Sequence, residues 1–181
     1  TTTVNAGNTR SLAIAYDESA KRVVLAYQRF GSNAIAKVGN VDPSDNSITF
    51  GSEIEVNTSH TLNDINVVYA PDQEKTLFVY KNQTNYNYGM VRVGTVDPSD
   101  NSISFGTEVQ FVSEASDIVG TFDSSNNKIV LAYRDNNNYG AAIVGTISGT
   151  DVSFGSVAQF QGSDSRNPDI TFDSTNNKVV I

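Results

Sequence analysis

Three polar turns at equivalent places in the chain carry the residue types best suited to contacting a ligand. Each turn begins with a base and contains Asn, and two of them also contain Tyr. Tyr rings can stack on sugar rings, and Asn amides can hydrogen-bond sugar hydroxyls. The alternative, which the residue types favour, is that these side chains only cap hairpins at an exposed rim. The candidate ligand-binding residues are Arg29, Lys81, Tyr86, Tyr88, Arg134, Asn137 and Tyr139.

Two pairs of acids could in principle supply oxygen ligands to Ca²⁺. Asp42 and Asp45 belong to the segment DPSDN, which is repeated letter for letter around Asp97 and Asp100. The spacing of a calcium-binding loop is missing, and the third copy has Ser-Gly-Thr instead. Pro fixes φ, and Asp or Asn caps backbone groups in tight turns. The sequence therefore favours two turns and predicts no metal site.

Catalytic chemistry finds little support in the sequence. His60 is the only His and lies in a polar connection, where a solvent-exposed role is the simpler interpretation. A Ser-His-Asp order, a nucleophile elbow, a phosphate loop and a His cluster are all missing. Acid pairs could serve a glycosidase, but here the acids recur with the repeat and occupy turns. We expect no enzyme and no cofactor. The sequons at Asn57 and Asn82 matter only where glycosylation machinery exists.

Composition narrows the classes of partner. The 181 residues carry a net charge of -8 and include neither Cys nor Trp. An acidic chain is a poor match for nucleic acid or for anionic membranes, which need Lys and Arg. No apolar run approaches the roughly 20 residues of a membrane span. The chain begins with Thr and shows no signal peptide, so we expect a processed N-terminus or a fragment.

The chain repeats itself about every fifty residues. Tyr27, Tyr80 and Tyr133 each end an apolar run, at intervals of 53 residues. A Gly in the third strand and a Phe-Gly pair in the fourth recur in the same order; they are Gly39, Gly94 and Gly145, and Phe50, Phe105 and Phe154. A fixed period of this length indicates a repeat architecture. The recurring third-strand Gly suggests close backbone approach or a β-bulge.

Each repeat contains four short β-strands separated by turn residues, and no segment has the apolar period of a helix. The second strands, such as Ile129–Ala132, are apolar without alternation, which predicts burial on both faces. Fourth strands alternate more, as an outer edge would. Sheets sandwiched between neighbouring sheets explain both patterns. The predicted fold class is all-β, with β-propeller-like repeats of four-stranded antiparallel blades and an incomplete blade at both ends.

The repeat divides the chain into five parts. Residues 1–10 form a lone strand that completes a blade, 11–62 the first blade, 63–115 the second, 116–167 the third, and 168–181 the first two strands of a fourth. Propellers typically have about four to eight blades. Three possibilities remain: a piece of a longer repeat protein, several copies that share blades, or an open array. Unpaired edges favour association.

The repeated pattern, FDS-x-NNK followed by an apolar run ending in Ala-Tyr and later by Val-Gly-Thr and Ser-Phe-Gly, carries a resemblance. It resembles long repeat proteins of marine phage and bacterial genomes, of the tail-appendage or fibre type. The resemblance covers most of Leu12–Ile181 and implies a β-propeller-like architecture and a virion or cell-surface setting. It implies no chemistry. The Asp-box of sialidase-type propellers and the dipeptides of WD40 repeats are missing.

Three functions follow as hypotheses. The first is a non-enzymatic structural or adhesive module on a virion or extracellular surface, which associates with itself or with further repeats through its incomplete blades. The second is a carbohydrate-binding propeller with one shallow site per blade, where repetition supplies avidity for surface glycans. The third, a glycosidase, needs acids that only one repeat carries. Neither nucleic acid nor membrane insertion is expected.

Overall fold

The computed structural model describes residues 4, 7–29, 33–57, 62–84 and 86–181. Strands account for 64 % of the chain, and the described part contains no α-helix, so the predicted all-β class is confirmed. His60, the tip of the first candidate turn (residues 30–32) and most of the predicted N-terminal strand lie outside the described residues. Asn57 is described, but the rest of its sequon is not.

The strands form four antiparallel sheets in chain order. The first sheet consists of β1 (Thr9–Asp17), β2 (Arg22–Arg29), β3 (Ala34–Asp42), β4 (Ser47–Phe50) and β5 (Ile54–Glu55). The second consists of β6 (Leu62–Ala70), β7 (Lys75–Asn82), β8 (Tyr88–Asp97) and β9 (Ser102–Val112), with a 3-10 turn at Pro71–Gln73. The third consists of β10 (Ser116–Asp123), β11 (Lys128–Arg134), β12 (Gly140–Ser148), β13 (Asp151–Phe154) and β14 (Ala158–Gln161). The fourth contains β15 (Thr171–Asp173) and β16 (Lys178–Val180).

The fourth strand of a repeat is less regular than the sequence predicts. In the first sheet it is interrupted after Phe50, and both β4 and β5 pair with β3. At the break, the Gly51 N–H still donates to the Val38 carbonyl over 2.9 Å. The third sheet repeats this break, where Gly155 donates to Val144. The strand therefore bulges without leaving the sheet.

Turn chemistry holds the hairpins as predicted. The Asp42 carboxylate accepts hydrogen bonds from the backbone and hydroxyl of Ser44, at 2.8 and 2.7 Å. Asp97 accepts the same pair from Ser99. Asn46 and Asn101 end these turns with left-handed φ of 58° and 57°, a conformation that Asn tolerates. The turn interpretation is confirmed, and hydrogen bonds from the Ser side chains hold the pKa of Asp42 and Asp97 below its usual range.

The second sheet is buried on both faces. Along β7, Phe78 and Tyr80 belong to an apolar cluster shared with the first sheet. The intervening Leu77 and Val79 belong to a cluster shared with the third sheet. Alternate residues of a strand point to opposite faces, so the unbroken apolar run follows directly from two neighbouring sheets. Burial on both faces, predicted from the missing alternation, is confirmed here.

Neighbouring sheets contact each other through their first strands. β1 contacts β6, β6 contacts β10, and β10 contacts β15. A side chain of β2 also links the first sheet to a turn of the second. Arg22 donates to the Pro98 carbonyl of the next sheet over 2.8 Å and to the Asn101 side chain. Each sheet thus contacts the next along its first strand, and the first sheet is also held to the turn between the third and fourth strands of the second.

In two of the three Phe-Gly pairs, the Gly lies against the backbone of the next sheet. A Cβ at Gly51 would lie 2.2 Å from the Asn101 carbonyl oxygen of the second sheet. At Gly106 it would lie 2.2 Å from the Thr150 carbonyl oxygen of the third sheet. Gly155 has only the Val144 carbonyl nearby, at 3.7 Å. Where a full sheet follows, the turn between its third and fourth strands places a backbone carbonyl directly against this Gly.

The recurring third-strand Gly makes room within a sheet. A Cβ at Gly145 would lie 2.7 Å from the Phe154 ring of the neighbouring strand, and one at Gly39 would lie 2.8 Å from the Phe50 ring. The ladders run through Gly39 and Gly145 without a register shift at either residue. At Gly39 and Gly145 the close neighbour is a Phe ring, which is a side-chain contact and not the predicted approach of backbone. In the second sheet the register shifts between Arg92 and Gly94, so the predicted β-bulge is observed beside Gly94.

Candidate functional site

A β-bulge near the start of the first strand positions an acid in the second and third sheets. The register shifts in β6 between Asn63 and Asn66, and in β10 between Ser116 and Val119. Within these bulges Asp64 and Asp117 have left-handed φ of 51° and 53°. Asp accepts this conformation more readily than most residues. The bulge turns the acid toward the end of the neighbouring second strand.

The cation that ends the second strand meets the acid of the bulge. Lys81 Nζ lies 3.0 Å from Asp64 Oδ2, and Arg134 Nε lies 3.3 Å from Asp117 Oδ2. Arg134 Nε also donates to Ser116 Oγ over 3.0 Å. The backbone N–H of Asp117 donates to Asp64 Oδ2 over 3.3 Å. The two ion pairs are therefore joined across the boundary between the second and third sheets.

Lys81 and Arg134, predicted as ligand-binding residues, line one groove at this boundary. The groove has a volume of about 230 Å³ and polar walls. This is below the roughly 300 Å³ at which small-molecule pockets usually begin. Its walls are formed by Lys81, Asn87, Glu114, Ala115, Ser116, Arg134, Asp135, Asn136 and Asn138.

The aromatic and amide candidates do not converge on this groove. Tyr86 and Tyr88 lie against each other in the preceding turn, with ring centroids 6.0 Å apart, and Tyr86 is 77 % exposed. Asn137 and Tyr139 belong to a turn closed by Asp135, whose Oδ1 accepts both backbone N–H groups at 2.8 Å. Their backbone role is to close a hairpin.

Arg29 occupies a different position from Lys81 and Arg134. Gln28 is the residue that follows the recurring Tyr in the first repeat, so Arg29 is displaced by one residue. A displacement of one residue sends a side chain to the other face of a strand. Arg29 accordingly pairs with Glu53 on the same sheet and not with a bulge.

Glu53 collects three partners. Tyr27 Oη donates to Oε1 over 2.9 Å, Lys37 Nζ lies 3.4 Å from the same oxygen, and Arg29 binds the other. Burial alone would raise the pKa of Glu53, but hydrogen bonds from Arg29 and Tyr27 lower it below its usual range. Burial, followed by the hydrogen bond to Glu53, raises the pKa of Tyr27 to about 12.

A related network links the first and second sheets. Glu108 Oε1 accepts the Tyr80 hydroxyl over 2.6 Å and the side-chain amide of Asn57, which follows the first sheet. Arg92 donates to the carbonyls of Val56 and Gly106 and lies 4.9 Å above the Phe105 ring. Tyr80 is fully buried, and burial followed by the bond to Glu108 raises its pKa. Every polar group named here contributes to a contact between or within sheets.

The third repeat lacks both charges of this network. Aligning the Phe-Gly pairs puts Val157 in the place of Glu53 and Glu108. Aligning the third-strand Gly puts Ile143 in the place of Lys37 and Arg92. The Tyr133 hydroxyl is buried and has no hydrogen-bond partner. The signal for this set in the sequence is the paired loss of acid and base at fixed places in the repeat, and it was missed among the predicted site residues.

Protein-family models, curated proteins and solved structures give no match to this chain. The function is therefore argued from the geometry. Within the described ranges, no cluster of three or more His, Cys, Asp or Glu could hold a metal ion. No helix in that part of the chain is long and apolar enough to cross a membrane.

The free energy of unfolding should fall as the pH rises from 10 to 12. The pKa of Tyr27 and that of Tyr133 are both raised to about 12, for Tyr133 by burial and then by the Asp135 charge. In the unfolded chain Tyr ionises near pH 10. The contribution of each buried Tyr to the free energy of unfolding is therefore fully present below pH 10 and is lost as the pH rises toward 12. Each such Tyr contributes a slope of about 1.4 kcal/mol per pH unit.

The measurement is urea unfolding at several pH values between 9 and 12. Tyr133→Phe removes one titrating group and should make the decline shallower by the share of one Tyr. A decline that begins only above pH 12, or one that Tyr133→Phe leaves unchanged, contradicts the assignment. Tyr86→Phe is the control, because Tyr86 is mostly exposed and should leave the slope as it is.

Proposed function

We propose that this chain is a non-enzymatic structural and adhesive repeat module of a virion appendage or an extracellular surface assembly. The observation that carries the proposal is the use made of its charged groups. Lys81, Arg134 and Arg92 are each engaged with the bulges or backbone of their own sheet or the neighbouring one. The charged groups that could bind a ligand or take part in catalysis instead hold strands and sheets together, which supports a structural role.

The same proposal includes a β-propeller arrangement of the sheets. Three observations support it: antiparallel sheets of four strands, or of five where the fourth strand is interrupted, neighbouring first strands in contact, and apolar clusters on both faces of the second sheet. Blades of a propeller have these three features. The surface setting is supported by the resemblance to appendage and fibre proteins and by the acidic composition.

A carbohydrate-binding module is the second candidate. Tyr86 favours it, because an exposed Tyr ring backed by a second ring offers a platform for sugar stacking. The narrow polar groove beside Lys81 and Arg134 could receive hydroxyl groups. Such a site would be shallow, and repetition would have to supply the avidity.

A glycan array followed by titration at millimolar sugar concentration distinguishes the two candidates. We expect no glycan binding and no hydrolysis product from the purified chain. Glycan binding that disappears in Tyr86→Ala or Arg134→Ala, in protein that stays folded, would overturn the structural proposal in favour of the lectin. Release of free sugar would overturn it in favour of a glycosidase.

Arg134→Ala should change stability and nothing else. It removes the partner of Asp117 and Ser116 at a half-buried site, so we expect a loss of about 1–2 kcal/mol. Arg166→Ala is the matched control, since Arg166 is exposed and pairs only with Asp164 in the described contacts. Equal thermal midpoints for the two variants would contradict the building role of Arg134.

A further inference from the structure

The first sheet leaves an apolar strip uncovered. Leu12, Ile14 and Tyr16 alternate along β1 and point to one face, where they are 62 %, 62 % and 52 % exposed. Strips of large apolar side chains exposed along one strand usually mark an interaction surface. The part of the same face on β2 and β3 is covered, because Val4 packs against Leu25, Tyr27 and Ile35.

The second repeat shows what covers this strip when a sheet precedes it. Ile65 and Val67 stand 53 residues after Leu12 and Ile14 and are only 8 % exposed each. They pack in one cluster with Val24 of β2, with Ala13 and Ala15 of β1 against it. The cover is therefore the inner pair of strands of the preceding sheet, which presents small apolar side chains.

The fourth sheet exposes a face of that kind. Thr171 and Val180 stand 50 residues after Thr121 and Val130, which in turn stand 106 residues after Ala15 and Val24. Val180 is 53 % exposed, whereas Val24 is fully buried. A shallow, largely apolar depression lies here, lined by Asp169, Ile170, Thr171, Val180 and Ile181. The fourth sheet thus offers the face that the strip on β1 lacks.

The two open surfaces also match in extent. The strip is open along β1 alone, since the region of β2 and β3 on that face is covered around Val4. Lys37 Nζ donates to the Val4 carbonyl, as Arg92 donates to that of Val56 in the next sheet. Val4 therefore occupies, beside the first sheet, the position that Val56 at the end of the first repeat occupies beside the second. What remains to be covered is the width of an inner strand pair, and β15–β16 is such a pair.

We propose that the strip Leu12, Ile14 and Tyr16 binds the β15–β16 sheet of a second copy of this chain, head to tail. The proposal rests on the function proposed above and names the partner of the structural module. Such a contact is heterologous, so it closes into a ring or extends into a filament according to its rotation.

Sedimentation velocity of the purified chain between about 1 and 100 μM tests the contact, since an association of micromolar Kd becomes populated in this range. We expect a concentration-dependent dimer or larger head-to-tail oligomer. Ile14→Asp and Val180→Asp each place a charge in one of the two faces and should weaken association about 100-fold. Tyr86→Asp is the control, because Tyr86 is exposed in a turn of the second sheet that belongs to neither face, and its left-handed φ suits Asp.

Mixing the two variants gives the sharpest outcome. The Ile14→Asp chain keeps its β15–β16 face, and the Val180→Asp chain keeps its β1 strip, so one intact contact can form between them. We expect the mixture to contain a heterodimer that neither variant forms alone. A wild-type monomer at 100 μM, unchanged mass in both variants, or a mixture without heterodimer would each overturn the proposal. Circular dichroism verifies that both variants are folded.

These outcomes are independent of the glycan experiment. If the chain is monomeric and binds no glycan, the proposed head-to-tail contact is wrong and the proposed structural function stands. If the chain binds glycans and still forms head-to-tail oligomers, the proposed structural function is wrong and the proposed contact stands.

Discussion

Gly106→Ala lowers the free energy of unfolding by about 3 kcal/mol, whereas Gly155→Ala changes it by less than about 0.5 kcal/mol. The Cβ introduced at residue 106 would lie 2.2 Å from the Thr150 carbonyl oxygen, a backbone atom of the next sheet. The sheets must separate locally to admit it. At residue 155 the nearest atom is the Val144 carbonyl oxygen at 3.7 Å, an ordinary contact.

Differential scanning calorimetry of the two variants measures the difference. For a chain of this size, about 3 kcal/mol corresponds to a fall in Tm of about 6–12 °C. Gly51→Ala provides a second example, because its Cβ would lie equally close to the Asn101 carbonyl oxygen. Similar Tm values for Gly106→Ala and Gly155→Ala would mean that the sheets do not stack at this Gly.

We expect Tyr80→Phe to lower the free energy of unfolding by about 2 kcal/mol. Tyr133→Phe should leave it unchanged or raise it slightly. The Tyr80 hydroxyl donates to the Glu108 carboxylate, and a hydrogen bond to a charged acceptor contributes about 1.5–3 kcal/mol. The Tyr133 hydroxyl is buried without a partner, so removing it relieves an unsatisfied polar group. The two residues occupy the same place in consecutive repeats, which makes each the control for the other.

Val157→Glu extends this test by restoring the acid that the third repeat lacks. Val157 is exposed, so the carboxylate keeps contact with water and can accept the Tyr133 hydroxyl. We expect a gain of about 1 kcal/mol that vanishes when Tyr133→Phe is combined with it. Urea unfolding of the four chains of this double-mutant cycle supplies the coupling energy. A gain that persists without the hydroxyl, or a large loss in Tyr133→Phe alone, would contradict the alignment of the repeats.

The candidate site was predictable only in part. The base that ends each second strand was visible in the sequence, and Lys81 and Arg134 do line one groove. Their acidic partners were not, because Asp64 and Asp117 reach them through a bulge that shifts the register of the first strand. Arg29 was grouped with these bases, but its displacement by one residue gives it a different partner.

The sequence by itself determined the strands, their turns and the burial of both sheet faces. These follow from local chemistry: Asp97 closes its own turn, and an apolar run without alternation, such as Leu77–Tyr80, is stable only between two neighbours. Only the tertiary structure decided which charges pair, why Gly106 must be Gly, and which hydroxyl lacks a partner. Each of these depends on atoms of two strands or two sheets that meet at distances of about 3 Å. A register that moves by one residue exchanges every such partner, and the spacing of letters along one strand does not specify that register.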